Sequence, residues 1–284
     1  MNYINIASVI RGSNLKVLKR SPDFIIRLIE KIIRQEEMNQ ILTKYSDYKG
    51  VNFLTKIVEE FNIKIEVEGR ENLPESSRCF FLSNHPFGII DGLVLTKIVS
   101  SKYGALKSIG NEAFMHVPHL WPLLAAVNVF GRNSKEYLTA LEKIYDSDIP
   151  ITHFPAGEVS RLYGLKIQDC QWQKSFIKKA ISCKRNIVPF YICGRNSVFF
   201  YFISSMRRIL GIKADIELIL LPNEMFRKKN KTIKVKIGKL ILYEKFDKTF
   251  SHTDWAQEMR KYVYDLAYNR ESDFISTPFY KLQS

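Results

Sequence analysis

The sequence predicts an α/β fold in which helices flank a sheet and amphipathic helices precede it. Between residues 63 and 242, short runs rich in β-branched and aromatic residues alternate with helical patterns, as in sheets with crossover helices. Before residue 60, apolar residues recur at helical spacing. The 284 residues are 46% hydrophobic, which is enough to fill a sizeable core.

The N-terminal region carries a helix-start signal at Ser21, Pro22 and Asp23, which offer a cap, a first-turn proline and an acid near the positive end of the helix dipole. Apolar residues follow at helical spacing with basic residues between them: Phe24, Ile25, Leu28, Ile29, Ile32 and Ile33, with Arg27, Lys31 and Arg34. Two interpretations stay open, a helix docked on the core and a basic helix in the lipid headgroup layer. We assign residues 1–60 to a helical membrane-docking region.

Eight runs are predicted as strands: residues 63–68, 79–83, 106–109, 127–130, 151–154, 187–193, 216–221 and 233–242. In the last run, apolar residues alternate with Lys234 and Lys236, which predicts one buried and one solvated face. These strands define a domain over residues 61–250. Residues 251–284 are predicted to form a C-terminal helix, with Trp255, Met259 and Tyr262 on its apolar face, and a polar tail.

The charge balance predicts an anionic partner. Forty-three Lys and Arg residues face twenty-nine Asp and Glu residues, which gives a formal net charge of +14. An anionic membrane surface and an acidic carrier fit this charge, and no nucleic-acid-binding motif is present. No run approaches the roughly 18 apolar residues of a spanning helix, and the N-terminus does not resemble a signal peptide. Four cysteines without CxxC spacing indicate reduced thiols. We therefore expect a peripheral protein on the cytoplasmic face of the inner membrane.

The strongest chemical signal is His85, which follows the strand at residues 79–83, with Asp91 six residues later. On one continuous helix six residues rotate by about 240°, so only a loop that folds back can bring the two side chains together. Pro86 and Gly88 are residues that such a loop would use. An aspartate bonded to a histidine fixes its tautomer and stabilises the imidazolium that forms when the ring accepts a proton. The pair therefore predicts general-base catalysis.

Two weaker signals also follow predicted strands. Residues 154–161 contain Gly157, Glu158 and Arg161, and residues 188–190 contain Pro189. Taken singly, each is a common turn pattern. None of the other histidines has an Asp or Glu at a spacing that indicates a catalytic pair; they are His116, His119, His153 and His252. His116 and His119 lack an evident third ligand, so we expect no metal site.

In this order the segments resemble the lysophospholipid acyltransferase superfamily, and more closely its bacterial branch of hemolysin-like and ornithine- or glycine-lipid acyltransferases. The resemblance covers residues 21–242 and implies a PlsC-like mixed sheet flanked by helices. Asn84-His85 with Asp91 matches the first block of the superfamily with one extra residue, a spacing that the hemolysin-like branch shares. The resemblance implies that His85 is the general base and Asp91 its partner.

The same resemblance implies a set of substrate-binding residues: Asn84, Gly88, Arg132, Gly157, Glu158, Arg161 and Pro189. Arg132 matches the basic residue that contacts the anionic group of the acceptor. The sequence departs from the family at Ala156, which stands where a glutamate is usual, with Glu158 two residues later. This departure draws the sequence toward the branch that makes aminolipids.

The predicted function is acyl transfer to a lipid hydroxyl at a membrane surface. The donor is a thioester of acyl carrier protein or coenzyme A, used as a co-substrate, and no cofactor is expected. Direct transfer is favoured, because the sequence has no Gly-x-Ser-x-Gly elbow and no cysteine beside His85. The preferred acceptor is an N-acyl amino acid whose 3-hydroxyl is O-acylated while Arg132 or Arg161 binds its carboxylate.

Three other functions compete with this prediction. Lysophosphatidic acid is the alternative acceptor, and a lipid hydrolase would use the same His85 and Asp91 to activate water. A non-catalytic basic binding protein would use the cluster at residues 227–231. The apolar run at residues 198–203, followed by Arg207 and Arg208, has two interpretations, a lipid-contacting segment with arginines on phosphates and a buried core helix.

Overall fold

A six-stranded mixed sheet lies at the centre of the computed structural model, which describes residues 3–12, 22–110, 117–125, 135–268 and 274. The strands are β1 (Lys64–Glu68), β2 (Cys79–Ser83), β3 (Lys107–Ile109), β4 (Ile151–His153), β5 (Arg161–Tyr163), β6 (Lys166–Gln168), β7 (Asn186–Cys193) and β8 (Thr232–Ile237). The sheet order is β1-β8-β7-β2-β4-β3, and β5 and β6 form a separate hairpin. Strands β7, β2, β4 and β3 are parallel, whereas β8 runs antiparallel to β7 and parallel to β1.

The helices are α1 (Ile6–Gly12), α2 (Asp23–Ile32), α3 (Gln35–Lys44), α4 (Gly50–Glu60), α5 (Ile89–Tyr103), α6 (Lys135–Asp146), α7 (Ser175–Ser182), α8 (Val198–Ile209), α9 (Leu221–Phe226) and α10 (His252–Asp265). None of the helices in the described ranges is both long enough and apolar enough to cross a bilayer. The predicted mixed sheet flanked by helices is confirmed.

The two faces of the sheet are covered by different helices. On one face, Phe81 of β2 packs in a core with Phe53 of α4 and Leu93 of α5. On the other face, Phe80 of β2 packs in a second core with residues of α7 and α10, among them Met259. Because successive strand residues point to opposite faces, β2 is buried on both sides and every one of its residues is apolar or small.

The N-terminal helices differ in how they meet these cores. Helix α2 begins at Asp23 with Pro22 as its N-cap, one residue later than a cap at Ser21 predicts, and its Phe24 and Leu28 are exposed. Helix α4 contributes Leu54 and Ile57 to the first core. The predicted cap Ser21 lies outside the described residues. The boundaries that we place after residues 60 and 250 stay predictions.

The predicted strand at residues 216–221 is wrong. Ile216–Leu220 forms a 3-10 helix that continues directly into α9. A short apolar run fits a strand or a packed helical turn equally well, and Pro222 suits the first turn of α9 but could not donate to a sheet. The predicted strand at 127–130 lies outside the described residues, and the short β5–β6 hairpin was not predicted.

Other predicted elements agree with the structure. Strand β8 buries Ile233, Val235 and Ile237, although it ends at Ile237 rather than at residue 242. The Gly238 N–H still donates to the Pro189 carbonyl in register with the ladder, but Pro189 has no N–H to donate in return. The next pairing with β7 is an isolated bridge between Ile241 and Ile187. The C-terminal helix is confirmed, with the Ser251 hydroxyl accepting from the Asp254 N–H at its start.

Arg185 is fully buried and caps the C-terminal end of α6. Its Nε donates to the Tyr145 carbonyl at 2.7 Å, and Nη2 donates to the Ile144 carbonyl at 3.1 Å. Further bonds reach the carbonyls of Ser147 and Ile149. Helix ends leave such carbonyls without partners inside the helix. Burial lowers the pKa of Arg185 to about 10, so the side chain remains charged at neutral pH.

We predict that Arg185→Met lowers the free energy of unfolding by at least about 3 kcal/mol, because several buried carbonyls lose their donor at once. Arg78→Met is the matched control. Arg78 also binds this helix end, through the Asp146 carbonyl at 2.6 Å, but its side chain is 31% exposed. Water can therefore replace some of its bonds, and the expected loss is about 1 kcal/mol. Urea unfolding measures both values, and equal losses would contradict the prediction.

Candidate active site

The loop after β2 folds back and brings His85 against Asp91. Gly88 lies at the start of α5, and Asp91 is the third residue of that helix. Asp91 Oδ2 lies 2.8 Å from His85 Nδ1, 2.8 Å from the Phe87 backbone nitrogen and 2.8 Å from the Gly88 backbone nitrogen. One carboxylate oxygen therefore accepts hydrogen bonds from the imidazole ring and from the turn that leads into the helix.

Gly88 makes this turn possible. Its φ is +85°, in the region that favours glycine, and a Cβ there would lie 3.0 Å from the Leu221 side chain and 3.2 Å from the Val159 side chain. The family resemblance assigns Gly88 to substrate binding, but the backbone conformation alone already requires a glycine at this position. A contact of Gly88 with substrate stays a prediction.

The bond between His85 and Asp91 determines which ring nitrogen of His85 can accept a proton. Asp91 is fully buried, and burial raises the pKa of its carboxyl while the bonds from His85, Phe87 and Gly88 oppose that rise. With Nδ1 bonded to Asp91, Nε2 is the ring nitrogen that can accept a proton. The His85 side chain is 18% exposed, and its ring stacks on Phe154 with the centroids 4.2 Å apart. The arrangement can therefore remove a proton from a bound hydroxyl group.

A buried carboxylate that sequence reasoning missed, Asp169, holds the backbone of His85. Its Oδ1 accepts from the His85 N–H at 3.2 Å and from the Ser160 hydroxyl at 2.6 Å, and its Oδ2 accepts from Trp172 Nε1 at 2.9 Å. The Ser160 N–H in turn donates to the His85 carbonyl at 2.8 Å. Asp169 therefore links the His85 loop to Ser160, in the segment that follows β4. It lies 84 residues from His85, and no local motif marks it.

Two of the predicted substrate-binding residues join β2 to its neighbour β7. Asn84 is buried, and its Oδ1 accepts from the Ile192 N–H at 2.7 Å while its Nδ2 donates to the Ile192 carbonyl at 3.0 Å. The side chain thus continues the pairing of β2 with β7 beyond the last ladder residue. Pro189 lies within β7, opposite Leu82. Their contact with substrate stays a prediction.

The remaining predicted substrate-binding residues are Gly157, Glu158, Arg132 and Arg161. Gly157 and Glu158 are exposed in the turn after β4, and Arg132 lies outside the described residues. Arg161 is buried, with its guanidinium 2.9 Å from Glu217. Glu217 also pairs with Arg207 at 2.9 Å. In this structure the Arg161 guanidinium therefore binds within the protein.

An exposed apolar face extends over α2, α8 and the residues after α8. Its members have at least a third of their surface exposed: Phe24, Leu28, Val198, Phe199, Phe202, Met206, Ile209, Leu210, Ile212, Ile216 and Ile219. On α8, Phe200 and Tyr201 are buried, whereas Val198, Phe199 and Phe202 are exposed. The structure therefore buries some side chains of residues 198–203 and exposes the others, and their contact with lipid stays a prediction. Arg207 pairs with Asp215 and Glu217, and Arg208 donates to the Leu162 carbonyl.

A cleft of about 370 Å³ opens in this apolar face between α2, α8 and α9. Its lining combines apolar side chains with two exposed basic ones: Leu28, Lys31, Ile32, Ser197, Phe199, Leu220, Asn223, Glu224 and Arg227. Such a combination suits a molecule with an apolar part and an anionic part.

Comparison of the sequence with known proteins indicates its family. A model of the acyltransferase family matches residues 9–272. Two proteins named lyso-glycine lipid O-acyltransferase, from Phocaeicola vulgatus and Bacteroides thetaiotaomicron, are each 37% identical to this chain over 264 residues, covering 93% of it and 95% and 97% of their own lengths. The crystal structure of the 1-acyl-sn-glycerophosphate acyltransferase PlsC from Thermotoga maritima aligns with a TM-score of 0.48 and 16% identity, over 88% of this chain and 95% of that chain.

We predict that Asp169→Asn speeds hydrogen exchange by about tenfold or more at one of two positions, the His85 amide or the Trp172 indole N–H. Whichever way the asparagine amide turns, its NH₂ group faces either Trp172 Nε1 or the His85 N–H, so one donor loses its acceptor. Asp148→Asn is the control, because the Asp148 side chain is 84% exposed. Exchange measured by NMR tests the prediction, and equal rates in both variants would contradict it.

Proposed function

The chain belongs to the acyltransferase family, and we propose that it transfers an acyl group to the hydroxyl of a lyso-glycine lipid at a membrane surface. The observation that carries the catalytic part is the bond from His85 Nδ1 to the buried Asp91 at 2.8 Å. The acceptor is supported by the names of the two relatives that match almost the whole chain. The proposed products are an O-acylated glycine lipid and a free thiol.

The proposed reaction is a direct transfer in which His85 moves one proton. His85 Nε2 takes the proton from the acceptor hydroxyl while the hydroxyl oxygen attacks the carbonyl carbon of the thioester. The new C–O bond forms, the C–S bond breaks, and the proton passes from the imidazolium to the departing thiolate. Asp91 stabilises the imidazolium in between. The donor would be acyl carrier protein or coenzyme A, both of which are anionic and therefore suit a chain of net charge +14.

The exposed apolar face is the proposed membrane contact. Burial of its side chains in the acyl and headgroup boundary would supply the apolar part of the binding free energy. Arg27, Lys31 and Arg227 are exposed at this side of the molecule, on α2 and just after α9, and would attract anionic headgroups. The face adjoins Ser197, four residues beyond the end of β7, so it lies next to the sheet edge that bears His85.

We predict that the purified protein acylates lyso-glycine lipid from a thioester donor and that His85→Ala lowers kcat/KM by at least about 100-fold while the protein stays folded. Asp91→Asn should retain more activity than His85→Ala, because the base is present but its tautomer is no longer held. His252→Ala is the control, since His252 is exposed at the start of α10. Wild-type turnover in His85→Ala would refute the mechanism.

The same assay decides the acceptor. Lyso-glycine lipid and lysophosphatidic acid are offered separately with one donor, and the products are identified by mass spectrometry. Efficient acylation of lysophosphatidic acid alone would overturn the acceptor and leave the acyltransferase family unchanged. Release of free fatty acid without an acylated acceptor would instead indicate hydrolysis.

We predict that binding to vesicles strengthens with anionic lipid and weakens with salt, because charge attraction adds to apolar burial. Leu28→Ser combined with Phe199→Ser should weaken binding by about tenfold or more. Leu242→Ser is the control, since Leu242 is 53% exposed but lies beside Asn186 at the opposite end of β7. Flotation assays measure all three proteins, and equal loss of binding in the control would refute the assigned face.

A further inference from the structure

A lysine outside every predicted motif lies against the loop that holds the catalytic pair. Lys228 follows α9, and its Nζ is 4.4 Å from the centroid of the Phe87 ring. Phe87 is the second residue after His85, and its backbone N–H donates to Asp91. Lys228 is therefore a cation in direct contact with the loop from His85 to Gly88.

The position of the Lys228 ammonium is fixed by backbone on its other side. Nζ donates to the Arg195 carbonyl at 2.9 Å. The preceding Gly194 has φ +145°, and a Cβ there would lie 2.1 Å from Phe87 Cζ, so the chain after β7 packs directly on the Phe87 ring. Lys228, Phe87 and the Gly194–Arg195 backbone thus form one packed unit beside His85.

Within the described residues, Lys228 forms no ion pair. The nearby carboxylate of Glu224 is engaged elsewhere, since it accepts from the Ser197 backbone N–H at 2.9 Å and from the Ser197 hydroxyl. An ammonium group has three donors, and the Arg195 carbonyl uses one of them. Burial lowers the pKa of Lys228, while Glu224 and Asp91 oppose that change. A half-buried ammonium that is bonded to backbone on one side and not paired with a carboxylate has donors left to bind an anion.

We propose that Lys228 binds the carboxylate of the acceptor's amino-acid head group. This inference rests on the proposed function and names the residue that selects its acceptor. Only a few bonds separate the carboxylate from the hydroxyl that reacts, so a cation that binds the one must adjoin the loop that activates the other. Lys228 meets this condition through Phe87, whereas the Arg161 guanidinium is buried against Glu217.

The test compares two acceptors that differ only in charge, lyso-glycine lipid and its methyl ester. Wild-type protein should prefer the free acid by about 10- to 100-fold in kcat/KM, the effect of one hydrogen bond to a charged group. Lys228→Met keeps an unbranched side chain of similar length and removes the charge, so the variant should acylate both acceptors at about the rate of wild type with the ester. Lys229→Met, in the exposed neighbouring residue, is the control and should keep the wild-type preference.

The outcomes separate this inference from the proposed function. If wild-type protein acylates the free acid but does not prefer it to the ester, or if Lys228→Met keeps the preference, Lys228 does not bind the carboxylate. A raised KM for the thioester donor with an unchanged acid-to-ester ratio would assign Lys228 to the phosphate of the donor and overturn the proposal. Failure of wild-type protein to acylate lyso-glycine lipid would instead refute the function itself. Lys228→Gln repeats the test should Lys228→Met fail to fold.

Discussion

The structure of the site depends on one oxygen atom, Asp91 Oδ2, which accepts from His85 Nδ1 and from two backbone N–H groups. The backbone bonds satisfy donors that the start of α5 would otherwise leave unpaired, and the imidazole bond fixes the tautomer of His85. Helix initiation and the orientation of the proposed base therefore depend on the same oxygen atom. The φ of +85° at Gly88 favours glycine there. Backbone conformation therefore limits the residue type at this position independently of any role in the reaction.

Rigidity of the loop comes from segments distant in sequence. Asp169 binds the His85 N–H, Ser160 binds the His85 carbonyl, and the Phe154 ring lies against the imidazole. These residues meet because β2 and β4 are adjacent and parallel, which places the segments that follow them at one edge of the sheet. Because the proposed base is held through both its backbone and its ring, Nε2 stays in one place without help from substrate.

The sequence was most informative where the interaction is local. His85 and Asp91 lie six residues apart, and the glycine and proline between them reveal the turn. Asp169 and Lys228 have no such signal, because each meets the His85 loop only after the sheet has formed. The prediction of a strand at residues 216–221 was wrong for a related reason. Its Glu217 is buried against Arg161, 56 residues away, and that pairing makes a packed 3-10 helix favourable where apolar spacing alone suggests a strand.

The charged side chains near the site fall into two groups, those that pair within the protein and one that does not. Arg161 and Arg207 both pair with Glu217, and Arg207 also pairs with Asp215, so two cations meet two carboxylates. These pairs anchor the segment that presents Ile216 and Ile219 on the apolar face. Lys228 is not neutralised in this way. The cleft in the apolar face is lined by Arg227, the residue before Lys228, so the proposed membrane contact and the proposed carboxylate site are adjacent along the chain. A lipid acceptor could then keep its chains at the apolar face while its charged head lies beside His85. This geometry suits a substrate whose charge and reactive hydroxyl are close together.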